Sequence, residues 1–231
     1  MTKTRSNKRK PTNRAHKHAK SWQPHDTFFR QAKATGYVAR SVFKLQQIDE
    51  RYRLIQPSHR VLDLGCAPGS WLQYIAKKLN PHQGGCVVGI DLKHVTLPAQ
   101  PHMHLLQQDV FTVPAQTLLL LGQNSEQPCP FDAVLSDMAP NTCGVKLVDQ
   151  QRSLQLCEQV LQLACQLLKQ GGSMCVKLFD GADTQDYCSR CKALFQHVCI
   201  QRPQATRSSS KEIYVVAAGF QPGGGRSTPP G

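Results

Sequence analysis

No stretch of this 231-residue chain approaches the ~20 consecutive apolar residues of a bilayer-spanning helix. The basic segments also lack the hydrophobic face with which an amphipathic helix lies on a membrane surface. No membrane is therefore expected. Acids are scarce, 15 Asp and Glu against 28 Lys and Arg, for a formal charge of +13. Solubility needs far less, and nucleic acid is the natural partner of such an excess. No second Cys-x-x-Cys and no suitably spaced His cluster accompany Cys188 and Cys191, so these read as two ordinary thiols one helical turn apart. No metal is expected. The ten cysteines are scattered, several inside apolar runs (Cys86, Cys157, Cys165, Cys175), and no signal peptide is evident. That usage predicts reduced thiols and a cytoplasmic location. The dinucleotide fingerprint G-x-G-x-x-G is missing as well.

What stands in its place is VLDLGCAPGSW, Val61 to Trp71. An apolar strand ends in Asp63, Leu64 and Gly65, a turn holding Pro68 and Gly69 follows, and WLQYIAKKL then continues as a helix. A strand, a Gly-rich turn and a helix form a nucleotide-type cofactor site, and the two glycines let backbone approach a ligand closely. The G-x-x-x-G spacing disfavours NAD and favours S-adenosylmethionine (SAM).

The chain suits one α/β domain with short extensions, and a domain of this size buries roughly 70% of its extended-chain surface. Residues 1–20 hold eight Lys and Arg, no acid and almost no large apolar side chain. Residues 1–21 are therefore expected to be a disordered basic arm that grips RNA phosphates. The apolar face that a mitochondrial presequence would need is absent. From Trp22 to Arg53 the spacing is helical, with Ser41 a plausible N-cap and Lys44 set between Phe43 and Leu45. Strands are predicted near 60–65, 86–92, 103–109, 131–137, 172–179, 197–202 and 212–219. Helices are predicted near 70–79, 114–121, 149–168 and 184–195. Such alternation implies a mostly parallel sheet with helices on both faces. The domain should span 22–220, and the Gly/Pro-rich tail 221–231 should be disordered.

Four acids fall where a nucleoside needs them. Asp91 ends CVVGID, placed for ribose hydroxyls, and Asp109 ends LLQQD, placed for an adenine amino group. Asp63 and Asp137 end two further strands. Ligands bind at the carboxyl ends of parallel strands, so the four converge on one crevice. Lys177 lies at the end of the apolar strand GGSMCVKLF and Glu212 opens the last strand; buried charges at such places are costly unless used or paired.

The segments FKL (43–45), DLGCAPGSW (63–71), SDMAP (136–140), VKLF (176–179) and KEIYVV (211–216) together resemble the FtsJ/RrmJ family, SAM-dependent ribosomal RNA 2′-O-methyltransferases. The likeness covers about 25–220. It implies a Rossmann-like sheet of seven strands with the last antiparallel. It also implies a catalytic tetrad, here Lys44, Asp137, Lys177 and Glu212, and cofactor contacts at Gly69, Trp71, Asp91, Asp109 and Asp137. Ser70 and Cys66 replace a glycine and an alanine common in the family, both small-for-small changes. The implied reaction is methylation of a uridine ribose in large-subunit (23S) rRNA, in the A loop of the assembled 50S particle, by a monomer with no obligate protein partner. A tRNA anticodon-loop ribose is the alternative substrate, and a non-catalytic RNA-binding assembly factor a remote one, since all four tetrad residues are present.

The chemistry needs in-line positioning and the management of one proton. Lys177 is expected either to take that proton as a neutral amine, helped by the charge of a nearby Lys44 and of the sulfonium, or to stay charged and orient the hydroxyl. A cytosine-5 enzyme would need a nucleophilic cysteine, and Cys143 is too displaced from SDMAP. A base-amine enzyme would show prolines where Met138 and Ala139 stand.

Overall fold

A computed structural model describes residues 27–122 and 127–223. The basic arm expected over 1–21, and the tail from 224 onward, lie outside the described residues. Within them one sheet holds β1 (Arg60–Leu64), β2 (Cys86–Asp91), β3 (Met103–Gln107), β4 (Phe131–Ser136), β5 (Leu168–Phe179), β6 (Phe195–Gln201) and β7 (Glu212–Phe220). The strand order is β3-β2-β1-β4-β5-β7-β6. The pairs from β3 across to β5 are parallel, and β7 runs antiparallel to both β5 and β6. This is the Rossmann-like sheet that the motifs implied. Every residue of β1 is buried, as a strand covered on both faces requires.

The two faces are covered by different helices. Val61, Val87, Ala133, Leu135 and Tyr214 pack on one side with α2 (Val42–Tyr52) and α3 (Ser70–Lys78). Leu62, Leu64, Val88, Val134 and Met174 pack on the other with α4 (Ala115–Leu120), α5 (Lys146–Leu167) and α6 (Thr184–Leu194). A short α1 (Thr27–Ala34) precedes α2 and stacks Phe28 on Phe43, ring centroids 5.6 Å apart. The chain leaves β1 outward to β2 and β3, then returns to β4 on the other side. That reversal opens a crevice at the carboxyl ends of the strands.

Two local expectations differ. Ser41 does not cap α2 through its side chain; its hydroxyl bonds that of Ser70 at 2.8 Å, and its carbonyl accepts the Trp71 indole N–H at 3.0 Å. The residue thus ties the start of α2 to the start of α3. Strand β5 begins at Leu168 rather than near 172, because Phe131 pairs with Leu168 and Ala133 with Ser173, so the intervening Lys-Gln-Gly-Gly loops out. Buried Asp49 completes the α2–α3 junction by accepting from Ile55 N–H, Tyr74 O–H and the Lys78 ammonium.

Candidate active site

The crevice is a cleft of about 850 Å³ lined by Gly65, Asp91, Asp109 and Asp137, with apolar walls that include Leu92 and Phe111. Gly65 has φ +76°, and a Cβ there would lie 2.2 Å from Cγ of Met138, itself a lining residue. Glycine is thus required both by the backbone and by the Met138 side chain. Asp91 accepts from Ala67 N–H at 2.9 Å through one carboxylate oxygen and from Lys93 N–H at 2.8 Å through the other. Asp109 accepts from Phe111 N–H at 2.9 Å. A carboxylate oxygen has two lone pairs, so both acids are fixed by backbone and can still accept from a ligand. Exposed Leu92, one residue past Asp91, and exposed Phe111, two past Asp109, were missed in the sequence, where only their nearness to an acid could mark them.

The other expected cofactor residues sit elsewhere. Pro68, Gly69 and Trp71 are not among the residues that line the cleft. Trp71 is buried against Tyr214 with its indole N–H given to Ser41, so its side chain is a structural anchor. At Gly69, φ +111°, a Cβ would meet Leu97 at 2.6 Å, so the close approach there is to a loop of the chain itself. What this turn can still offer a ligand is the first N–H groups of α3, which have no intrahelical acceptor. Asp63 is not at the lip of the crevice but inside β1, 1% exposed, and neither carboxylate oxygen has a hydrogen-bond partner. Burial, with the nearby charges of Asp137 and Asp91, pushes this carboxyl well above the usual range, so folding favours its neutral form. A group raised on folding adds its full stability only below its unfolded pKa of about 3.9, and loses it at up to ~1.4 kcal/mol per pH unit as pH climbs toward the folded value. Asp63→Asn is therefore expected to melt above the wild type at pH 8, with the gap shrinking toward pH 4. A gap independent of pH would show that the carboxyl ionises normally.

Two ion pairs lie behind the wall that Asp137 gives the cleft; of their four residues Asp137 alone lines it. Lys177 Nζ is 3.0 Å from Oδ1 of Asp137 and donates to the Asp137 carbonyl at 2.5 Å. Lys44 Nζ donates to Glu212 Oε2 at 2.7 Å. Each lysine is buried, so pairing is obligatory, and each has its own carboxylate. The charge that Lys44 presents to Lys177 is thus that of a neutralised pair, not the bare lysine on which the expected repulsion depended. Burial alone would raise the Glu212 carboxyl, but hydrogen bonding and charge from Lys44, then Lys177 and Ser210, hold it below the ordinary glutamate value. A depressed acid adds stability above its unfolded pKa of about 4.3, so the Lys44–Glu212 pair persists at neutral pH and is lost only in acid.

Two further groups were not legible. Tyr214, opposite Lys177 in the β5–β7 register, donates its hydroxyl to Asp137 Oδ1 at 2.6 Å. Asp149 accepts the N–H groups of Cys143 at 2.8 Å and Gly144 at 3.1 Å, while Arg152 donates to the Asn141 carbonyl at 3.0 Å. The Cys143 amide leads the contacts that hold the half-buried Asp149 carboxyl below the usual range. These two α5 residues dock the loop whose Met138 to Asn141 form one wall of the cleft.

The comparisons with known proteins agree with this geometry. A model of the FtsJ-like methyltransferase family matches residues 37–220. Ribosomal RNA large subunit methyltransferase E of Syntrophobacter fumaroxidans is 43% identical over 196 residues, 85% of this chain and 96% of that one. Its counterpart in Desulfatibacillum aliphaticivorans is 42% identical over 195 residues, 84% and 89% of the respective chains. Among solved structures, a ribosomal RNA methyltransferase from Plasmodium falciparum superposes with a TM-score of 0.68 at 26% identity, covering 80% of this chain and 98% of that one. Human methyltransferase-like protein 13, solved with SAH, shares the fold alone, at a TM-score of 0.54 and 14% identity over 80% of this chain and 85% of its own. With the family model covering most of the chain and identities above 40% across it, the chain belongs to the FtsJ-like methyltransferase family.

Proposed function

We propose that this protein uses SAM to methylate the ribose 2′-hydroxyl of a uridine in large-subunit rRNA, in the A loop of the assembled 50S particle. The observation that carries the reading is the Lys177–Asp137 pair at the strand ends, beside the Lys44–Glu212 pair, with Asp137 lining the same cleft as Asp91 and Asp109. The names of the relatives above support the substrate, and the charge of +13 suits it.

The cleft fits the cofactor. Asp91 and Asp109 carry lone pairs suited to ribose hydroxyls and an adenine amino group, Gly65 keeps the floor open, and the unpartnered Asp63 carboxyl lies behind it. Bound SAM supplies an activated methyl group on a sulfonium. The remaining work falls to side chains. In the active complex the Lys177 ammonium first gives up a proton to solvent; the amine so formed can keep both N–H bonds on Asp137, one to the carbonyl and one to the carboxylate, which leaves its lone pair for the 2′-hydroxyl proton. On methylation of the 2′-oxygen its proton would pass to Nζ, and Asp137, steadied by Tyr214, would hold the resulting ammonium. Lys44, anchored by Glu212, keeps two N–H bonds for oxygens of the RNA.

The test is methyl transfer from labelled SAM to purified large subunits lacking the modification, with the product digested to nucleosides. Labelled 2′-O-methyluridine is the expected product. Label in tRNA with none in the subunit would move the substrate to the anticodon-loop branch. RNA binding without label in either would make the protein an assembly factor.

A further inference from the structure

The end of β5 that carries Lys177 outruns its neighbour. Pairing between β4 and β5 stops at Ser136↔Val176, where the chain turns away to wall the cleft, whereas β5 continues to Phe179. On its other side β5 keeps β7 as far as Phe179↔Glu212. The backbone groups that Lys177 and Phe179 turn toward β4 therefore meet no strand. Left unpaired in the interior, each would carry the full desolvation penalty of a lost hydrogen bond.

Two side chains of α5 take the place of the missing strand. Cys157 Sγ donates to the Lys177 carbonyl at 3.1 Å, and Phe179 N–H donates to Ser153 Oγ at 3.0 Å. Ser153 is 2% exposed and Cys157 fully buried. The spacings of helix and strand match here, since four helical residues rise about 6 Å, two strand residues advance about 6.6 Å, and α5 runs against β5. Burial also pushes the Cys157 thiol up, so its donor hydrogen stays in place at neutral pH. The Tyr187 hydroxyl, donating to the Cys157 carbonyl at 3.0 Å, fixes that turn of α5 from α6.

We infer that Ser153 and Cys157 are positioning residues: they hold the backbone of β5 beyond the end of β4, and so keep the Lys177 amine on Asp137 at the cleft. The inference rests on the reading of Lys177 as the group that meets the acceptor hydroxyl. Its test separates shape from hydrogen bonding. Cys157→Val keeps the volume without the donor, Cys157→Ser keeps a donor, and Ser153→Ala removes the acceptor. In the large-subunit assay, Cys157→Val combined with Ser153→Ala should lower kcat about tenfold with KM for SAM within about twofold, and Cys157→Ser alone should stay within about twofold of wild type. An unchanged kcat in the double variant, or Cys157→Ser as slow as Cys157→Val, would overturn the inference. A second readout needs no substrate: hydrogen exchange at the Phe179 amide should accelerate about tenfold or more in Ser153→Ala. Unaltered exchange would refute the tie itself. A wild type that labels no subunit would count against the proposed substrate alone, and the exchange result would still decide the tie.

Discussion

Lys177→Met should lower methyl transfer by about two to four orders of magnitude, the range expected when a positioned proton acceptor is removed. Methionine retains the buried stem and deletes only the amine, so the variant should still fold and bind SAM. The effect then falls on kcat rather than on KM. Lys177→Arg divides the two roles that the amine can play. A guanidinium stays protonated at any workable pH, so it can orient a hydroxyl but cannot take its proton. Activity in Lys177→Arg well above that of Lys177→Met would assign Lys177 an orienting role. Near-normal turnover in Lys177→Met would remove Lys177 from the chemistry altogether.

Asp137→Ala is expected to be the most destabilising single change in the site. It strands the ammonium of Lys177, 6% exposed, and leaves the hydroxyl of fully buried Tyr214 without its acceptor. Breaking a buried pair from one side costs about 3–5 kcal/mol, which for a domain of this size lowers Tm by on the order of 10 °C. The diagnostic variant is the double one. Adding Lys177→Met to Asp137→Ala removes the stranded charge, so the pair should regain most of the lost Tm although neither variant is active. A double variant that melts as low as Asp137→Ala would place the cost in packing instead of charge.

The contrast between Asp137 and Asp63 shows what sequence pattern can and cannot reveal. Both acids follow apolar runs, and the run marks the strand. Only Asp137 lies past the last ladder pair and reaches the cleft; Asp63 sits one residue inside β1, where its side chain enters the sheet interior. A shift of one residue at a strand boundary separates an acid at the cleft from one buried in the sheet. The alternation of strands and helices, and the Lys, Asp, Lys, Glu series, were legible because each is written in short, local segments. Tyr214 was not, since its role depends on β7 lying beside β5 and opposite Lys177, a register that no local pattern encodes. Trp71 is the reverse case: its place in a cofactor motif was clear, and only the packing of α2 on α3 shows where the indole goes. Asp149, Ser153 and Cys157 share one helix face, and an amphipathic pattern reports burial without naming what is held.

The placement of β7 between β5 and β6 also orders events in time. Of the strands described, β7 is synthesised last, yet it is the sole partner of β6 and brings Glu212 and Tyr214 to the cleft. Until it threads into its slot, β6 has no neighbour and Lys44 has no counter-ion. A nascent chain can thus complete the β3-to-β5 portion of the sheet early, while the Lys44–Glu212 and Tyr214–Asp137 contacts form only when β7 arrives.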